Sequence, residues 1–170
     1  MSLHKNKSHY SNLAKIFHWG FVIIFIYGVA KQVNDINQLD DIAFLRFEII
    51  FAIIFLFLLA IRVIYMKKTQ KSSLPDETSK LQKIIAKIVH NGMYILLAGT
   101  ALSGLLIGFL YWSGYKKGII IDTTTYMHEL LINCLYFLIA IHVVASLYHR
   151  FKKDRVWNSM VPFFKINNKS

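Results

Sequence analysis

The sequence predicts an all-α fold, an integral membrane bundle of four helices. Three observations lead there. The 170 residues are 55% hydrophobic and 15% aromatic, and mean hydropathy is +0.44, more apolar than an ordinary soluble domain. Four runs, residues 13–30, 43–66, 84–112 and 126–149, approach or exceed the roughly 20 apolar residues that a bilayer crossing needs. The third observation is charge. If the runs alternate in direction, Lys5, Lys7, Lys15, Lys67, Lys68, Lys71, Lys80, Lys83, Lys87, Arg150, Lys152, Lys153, Arg155, Lys165 and Lys169 share one side. The other side keeps Lys31, Arg46, Lys116 and Lys117. This positive-inside pattern puts both termini in the cytoplasm. The net charge of +11 then reports topology, and a nucleic-acid partner is not expected.

Residues 1–12 read as a polar tail in which His4 and His9 are solvated, 13–150 as one membrane domain, and 151–170 as a basic, amphipathic, surface-lying tail. The first run is the shortest and is interrupted by His18. It lacks a small-residue cleavage site before the polar stretch that starts at Lys31, so it is expected to stay as a helix and not leave as a signal peptide. Trp19 fits an interfacial belt. Residues 31–41 read as a plain connector.

The second run holds Glu48 near its outer end and Arg62 near its inner end, fourteen residues apart. Arg62 either snorkels to headgroups or faces a buried carboxylate. Glu48 needs a partner or a proton at that depth, and Arg46, two residues away, points elsewhere on a helix. Pro75, Asp76 and Glu77 suit the opening of the third helix. That helix carries His90 and Asn91, then Ala98, Gly99, Ala101, Gly104 and Gly108, small residues that permit close helix approach. Residues 111–125 read as an outer loop, with Tyr111, Trp112 and Tyr115 as interface anchors.

On the fourth run, the stretch 127–150 carries His128, His142 and His149. At about 100° per residue, a fourteen-residue step returns to within roughly 40° of the same face, about 21 Å along the axis. His128 and His142 therefore point the same way at opposite depths. Ionisable groups in a spanning helix mark functional sites by default. Histidines hydrogen-bonded between helices are the plainer reading, and two layers of metal ligands the sharper one. His18, His90, His142 and, at the edge, His149 form an inner layer; His128 and Glu48 form an outer one. Zinc would want four clustered Cys/His ligands, whereas these are single residues on different helices with apolar residues between. That setting suits b-type haem. The only cysteine, Cys134, leaves no Cys-x-x-Cys-His for covalent attachment and reads as a small packing residue.

Several pieces also resemble the bacterial cytochrome b-561 family, which is related to the cytochrome b subunits of hydrogenases and formate dehydrogenases. They are Ile16-Phe17-His18-Trp19, Arg62, His90 with Tyr94, Met127-His128-Glu129, the segment from Tyr136 to His142, and Met160-Val161-Pro162. The resemblance runs over residues 10–162. It implies a bacterial inner-membrane protein with an inner haem held by His18 and His142, and an outer haem on His128 and a helix-two histidine. The latter position, fourteen residues before Arg62, is Glu48 here. The outer haem is therefore expected to be absent, five-coordinate or unusually ligated. His90 is the alternative partner for His142, or stands near a propionate or quinone. His149 reads as an interfacial histidine.

The function expected from this is electron transfer between the quinone pool and a partner, a dehydrogenase or periplasmic redox protein. Superoxide oxidation with ubiquinone reduction at the outer face ranks second, because the outer loops set Asp35, Asp40, Asp41 and Asp122 against few cations. A haem-free helical protein with a histidine proton relay is the third class.

Overall fold

The computed structural model describes residues 10–33, 35–69, 74, 78–153 and 155–161. His4, His9, Pro75, Asp76, Glu77 and Pro162 lie outside the described residues, as do Lys5, Lys7, Lys71, Lys165 and Lys169. The elements are α1 (Asn12–Ala30), a 3₁₀ turn (Ile36–Asp40), α2 (Ile42–Thr69), α3 (Lys80–Trp112), α4 (Ile119–Phe151) and the short α5 (Arg155–Met160). Among the described residues there is no strand. The first four helices are each long and apolar enough to cross a membrane.

The ends of these helices follow from local chemistry. The Ser11 side chain caps α1, accepting from the Ala14 amide at 3.1 Å. With 19 residues, α1 is about 28 Å long, just enough for the hydrocarbon layer. Helix α3 opens at Lys80, with Ser79 as its cap, accepting from the Gln82 amide at 3.3 Å. Helix α4 opens earlier than expected. Gly118, at φ 106°, turns the chain into it, and Asp122 sits in its first turn. The hydroxyls of Thr124 and Thr125 donate to the carbonyls of Ile120 and Ile121 at 2.8 and 2.9 Å, so both are satisfied inside the helix. Residues 119–125 are therefore helix and not loop.

Side-chain bonds show how the ends are arranged. At one end Ser11 Oγ meets Tyr65 Oη at 3.0 Å, joining the start of α1 to the end of α2. At the same end Lys15 Nζ and Trp19 Nε1 donate to the carbonyls of Asn158 and Met160 at 3.3 and 3.2 Å. Trp19 thus holds the tail as well as sitting at its depth. The tail segment is not merely surface-lying: α5 folds back, and Ser159 is fully buried. At the other end Lys116 Nζ donates to Asp40 at 2.7 Å, tying the α3–α4 loop to the 3₁₀ turn. That bond holds the Lys116 ammonium above its ordinary pKa. The helices run antiparallel, with α1 packed on α2, α2 on α3 and α3 on α4.

Two apolar clusters fill the bundle. Phe21, Phe55, Leu59, Leu97, Ala101 and Leu135 meet mid-bundle from all four long helices. Leu39, Leu45, Ile107, Leu110, Tyr111 and Ile121 close the outer end. Tyr111 is 4% exposed and so is core, not an anchor; the early start of α4 covers it with Ile121. The connector is likewise built inward, through buried Leu39. Trp112 and Tyr115 stay exposed, as anchors require. Ile23, Phe57, Ile95 and Phe137 are each 66–71% exposed, a lipid-facing surface for which water would be a poor solvent. Cys134 also lies on that surface and packs nothing in the core.

Candidate functional site

Each of the four long helices sends one polar side chain to the inner layer: His18 from α1, Arg62 from α2, His90 from α3 and His142 from α4. The His18 and His142 ring centroids are 6.5 Å apart, and those of His90 and His142 are 5.0 Å apart. Two imidazoles on opposite sides of one metal, each with a metal–nitrogen bond of about 2 Å, have centroids roughly 6 Å apart. The His18–His142 pair fits that separation, and His90 stands too close to His142 to share an iron with it in this way. His90 Nδ1 instead donates to the Ala86 carbonyl at 2.7 Å, within its own helix.

Arg62 does not snorkel. Its guanidinium lies over the rings of Phe21 and Tyr94, at 5.0 and 5.7 Å, and one Nη donates to His18 Nδ1 at 2.6 Å. Its Nε is buried without a hydrogen-bond partner. A buried cation with an unmatched donor is an incomplete site, and a carboxylate-bearing group would complete it.

The outer layer is a cavity of about 560 Å³ among α1–α4 and the 3₁₀ turn, lined mainly by apolar side chains with both Glu48 and His128 in its wall. Its size falls in the usual range for ligand and cofactor sites, about 300–1,000 Å³. Close approach here depends on glycine. A Cβ on Gly104 would stand 3.3 Å from His128 Cε1, and one on Gly108 only 2.8 Å from Ile49 Cγ1. The small-residue stretch read as helix-packing space also makes room for the imidazole.

His128 Nδ1 lies 2.9 Å from Ser103 Oγ. Ser103 donates its single hydrogen to the Thr100 carbonyl at 3.0 Å, so toward His128 it can only accept. The Nδ1 proton is thereby assigned, and the lone pair falls on Nε2, the arrangement found in metal-ligating histidines. Glu48, on α2, has its side chain 27% exposed and Lys31 Nζ 3.8 Å from Oε1. That is an ion pair too long for a hydrogen bond, and Oε1 has no other partner. Arg46 faces away, over the Trp112 ring.

A single imidazole pair and a cavity with one more histidine, rather than a tight cluster, suit haem better than a bare ion. Among the described residues no three His, Cys, Asp or Glu side chains are grouped to hold one. The family model for prokaryotic cytochrome b561 matches residues 9–163. The chain belongs to the prokaryotic cytochrome b561 family. This cytochrome is thus a multi-pass bacterial membrane protein of the b type that binds haem b and works in electron transfer. No curated protein and no solved structure matches it.

Of the residues singled out in this cytochrome's sequence, the structure brings together His18, His142, His90 and Arg62 at one level and His128 with Glu48 at the other. His149 stays at the end of α4, its ring beside Tyr148. Sequence reasoning missed Ser103 and the Thr100 carbonyl as the supports of His128. The available signal was a serine directly before Gly104 inside an apolar helix, where a hydroxyl needs a partner. If His128 holds haem, as proposed below, Ser103→Ala would weaken its retention by about 10- to 100-fold, as loss of such supports does elsewhere. Haem transfer to apomyoglobin measures it; a variant that releases haem at the wild-type rate would remove Ser103 from this role.

Proposed function

We propose that this cytochrome carries electrons across the membrane between two haem sites, one at His18 and His142 and one at His128, and exchanges them with a quinone from the lipid phase. One observation carries the reading: His128 and His142 share the inward face of α4, about 21 Å apart. One of them reaches a histidine on α1 at the right separation, and the other lies in a cavity large enough for a cofactor. We further propose that the end bearing Lys15, Lys67, Lys68, Lys83, Lys87 and Arg150 faces the cytoplasm, on the positive-inside pattern.

Bound haem supplies reversible one-electron chemistry, and the chain's part is binding, orientation and tuning. At the inner site His18 and His142 provide the nitrogens. To present its Nε2 lone pair, His18 must carry its proton on Nδ1, which ends the hydrogen bond from Arg62. The released guanidinium, with Nε already unmatched, is then the cation available for a haem carboxylate. At the outer site Ser103 keeps Nε2 of His128 unprotonated. Apolar side chains around both layers exclude water and lower the local dielectric.

Superoxide oxidation remains the second reading. Steering of an anion gains little from this outer face, since Lys31 is engaged with Glu48 and two aromatic rings and Lys116 with Asp40. Haem per chain, counted as pyridine haemochrome on protein purified with ample haem, tests the proposal. About two per chain is expected from two separate ligand layers; about one would remove the transmembrane route.

A further inference from the structure

We propose that the outer site of this cytochrome is a one-histidine haem site: His128 supplies its only imidazole, and the Glu48 side marks a coordination position open to an exchangeable small ligand. The inference rests on the reading of the outer cavity as a haem site and adds what its iron would do.

The cavity's own inventory carries the argument. Haem iron in proteins is held by histidine, cysteine, methionine or tyrosine side chains. Among the residues lining this cavity, His128 is the one histidine, and neither cysteine nor methionine appears. Tyr136 is the one tyrosine there, eight residues beyond His128 on α4, and it turns 38% of its surface outward. Nothing in the wall therefore matches His128 as a second strong ligand. The inner layer differs, since His142 finds another imidazole at a centroid distance of 6.5 Å.

The two residues of the outer layer are also prepared differently. His128 is set to ligate, its proton held on Nδ1 by the Ser103–Thr100 relay. Glu48 is not built as a ligand. Nothing donates a hydrogen bond to its shielded Oε1, and the nearest charge, Lys31, lies 3.8 Å away. Lys31 is itself held over the Phe47 ring at 3.2 Å. A carboxylate is a hard oxygen donor better suited to magnesium, calcium or manganese, whereas imidazole suits iron. An iron with one imidazole and a carboxylate nearby is expected to stay high-spin and to take up a small neutral or anionic ligand. The same chain would then hold one closed haem site and one reactive one.

Carbon monoxide on the dithionite-reduced protein tests this, alongside the ferric EPR spectrum and the haemochrome count. The wild type should hold about two haems per chain and bind about one carbon monoxide, with a high-spin ferric signal beside a low-spin one. Glu48→His should keep both haems while losing the high-spin signal and at least about ten-fold of the carbon monoxide binding, because a second imidazole closes the position. His128→Ala should lose one haem and the carbon monoxide binding together, so the proposal stays testable even if Glu48→His fails to fold. One haem per wild-type chain would overturn both the outer haem site and this inference. Two low-spin haems that ignore carbon monoxide would overturn the open position alone. Carbon monoxide binding that survives in His128→Ala would place the exchangeable iron at the inner site and overturn the inference as well.

Discussion

His142→Ala is expected to lower the haem content by about one per chain and to remove the low-spin bis-imidazole component of the spectrum. His142 is the inner-layer residue with two imidazole neighbours, His18 at 6.5 Å and His90 at 5.0 Å between centroids. It is therefore the residue that either proposed pairing requires. His18→Ala and His90→Ala then separate the pairings. From the two ring separations, His18→Ala is expected to match His142→Ala, and His90→Ala to keep the inner haem. Optical and EPR spectra of the purified variants, with circular dichroism to confirm helix content, decide it. A His142→Ala protein with an unchanged spectrum and haem count would show that the inner site is not where these three rings converge. Loss of the inner haem in His90→Ala, with His18→Ala unaffected, would reassign the partner.

The second large effect is on stability. Leu135→Ala should destabilise the bundle by about 2 kcal/mol or more. Leu135 is 1% exposed at the centre of α4 and packs in the cluster where Phe21, Phe55, Leu59 and Leu97 from the other three long helices meet. In a bilayer the transfer of a leucine side chain from lipid to protein gains little, so the loss is mainly packing, a low figure for a buried leucine. Leu102 is the control, at 57% exposed on the same kind of helix. Leu102→Ala should be near neutral, since lipid refills the space. Thermal unfolding in detergent, followed through haem absorbance, compares the two. Equal losses would mean that Leu135 is not at the junction of the helices.

These two predictions differ in how far the sequence alone supports them. The four spans, the charge asymmetry and the fourteen-residue spacing of His128 and His142 are one-dimensional facts. They follow from bilayer thickness, from the cost of moving cations across it and from helix periodicity, none of which depends on tertiary contacts. The family was legible for the same reason, in pieces such as Ile16-Phe17-His18-Trp19 and Met127-His128-Glu129 spread along the chain in order. Helix ends were less legible. Gly118 and the back-bonded threonines let α4 start at Ile119, although glycine and threonine clusters between apolar runs usually mark loops.

What only the tertiary structure decided is which partners the polar groups find. Arg62 had two equal readings, because a long side chain near a helix end can reach headgroups or turn inward; its bond to His18 and its place over Phe21 and Tyr94 select the inward one. Tyr111 and Cys134 exchanged their expected places, core for surface, because residue type fixes what a side chain tolerates and neighbouring helices fix what it touches. The tautomer of His128 depends on Ser103 and Thr100, twenty-five and twenty-eight residues away in sequence and on another helix. Hydrogen bonds between helices are set by the angle and depth at which helices meet, and that geometry has no period in the sequence. The chain alone put His18, His90 and His142 at one depth and His128 with Glu48 at another, and the glutamate already made the two layers unequal. The packing of four helices added what spacing cannot give, the 6.5 Å separation of the His18 and His142 rings and the contact of His128 with Ser103.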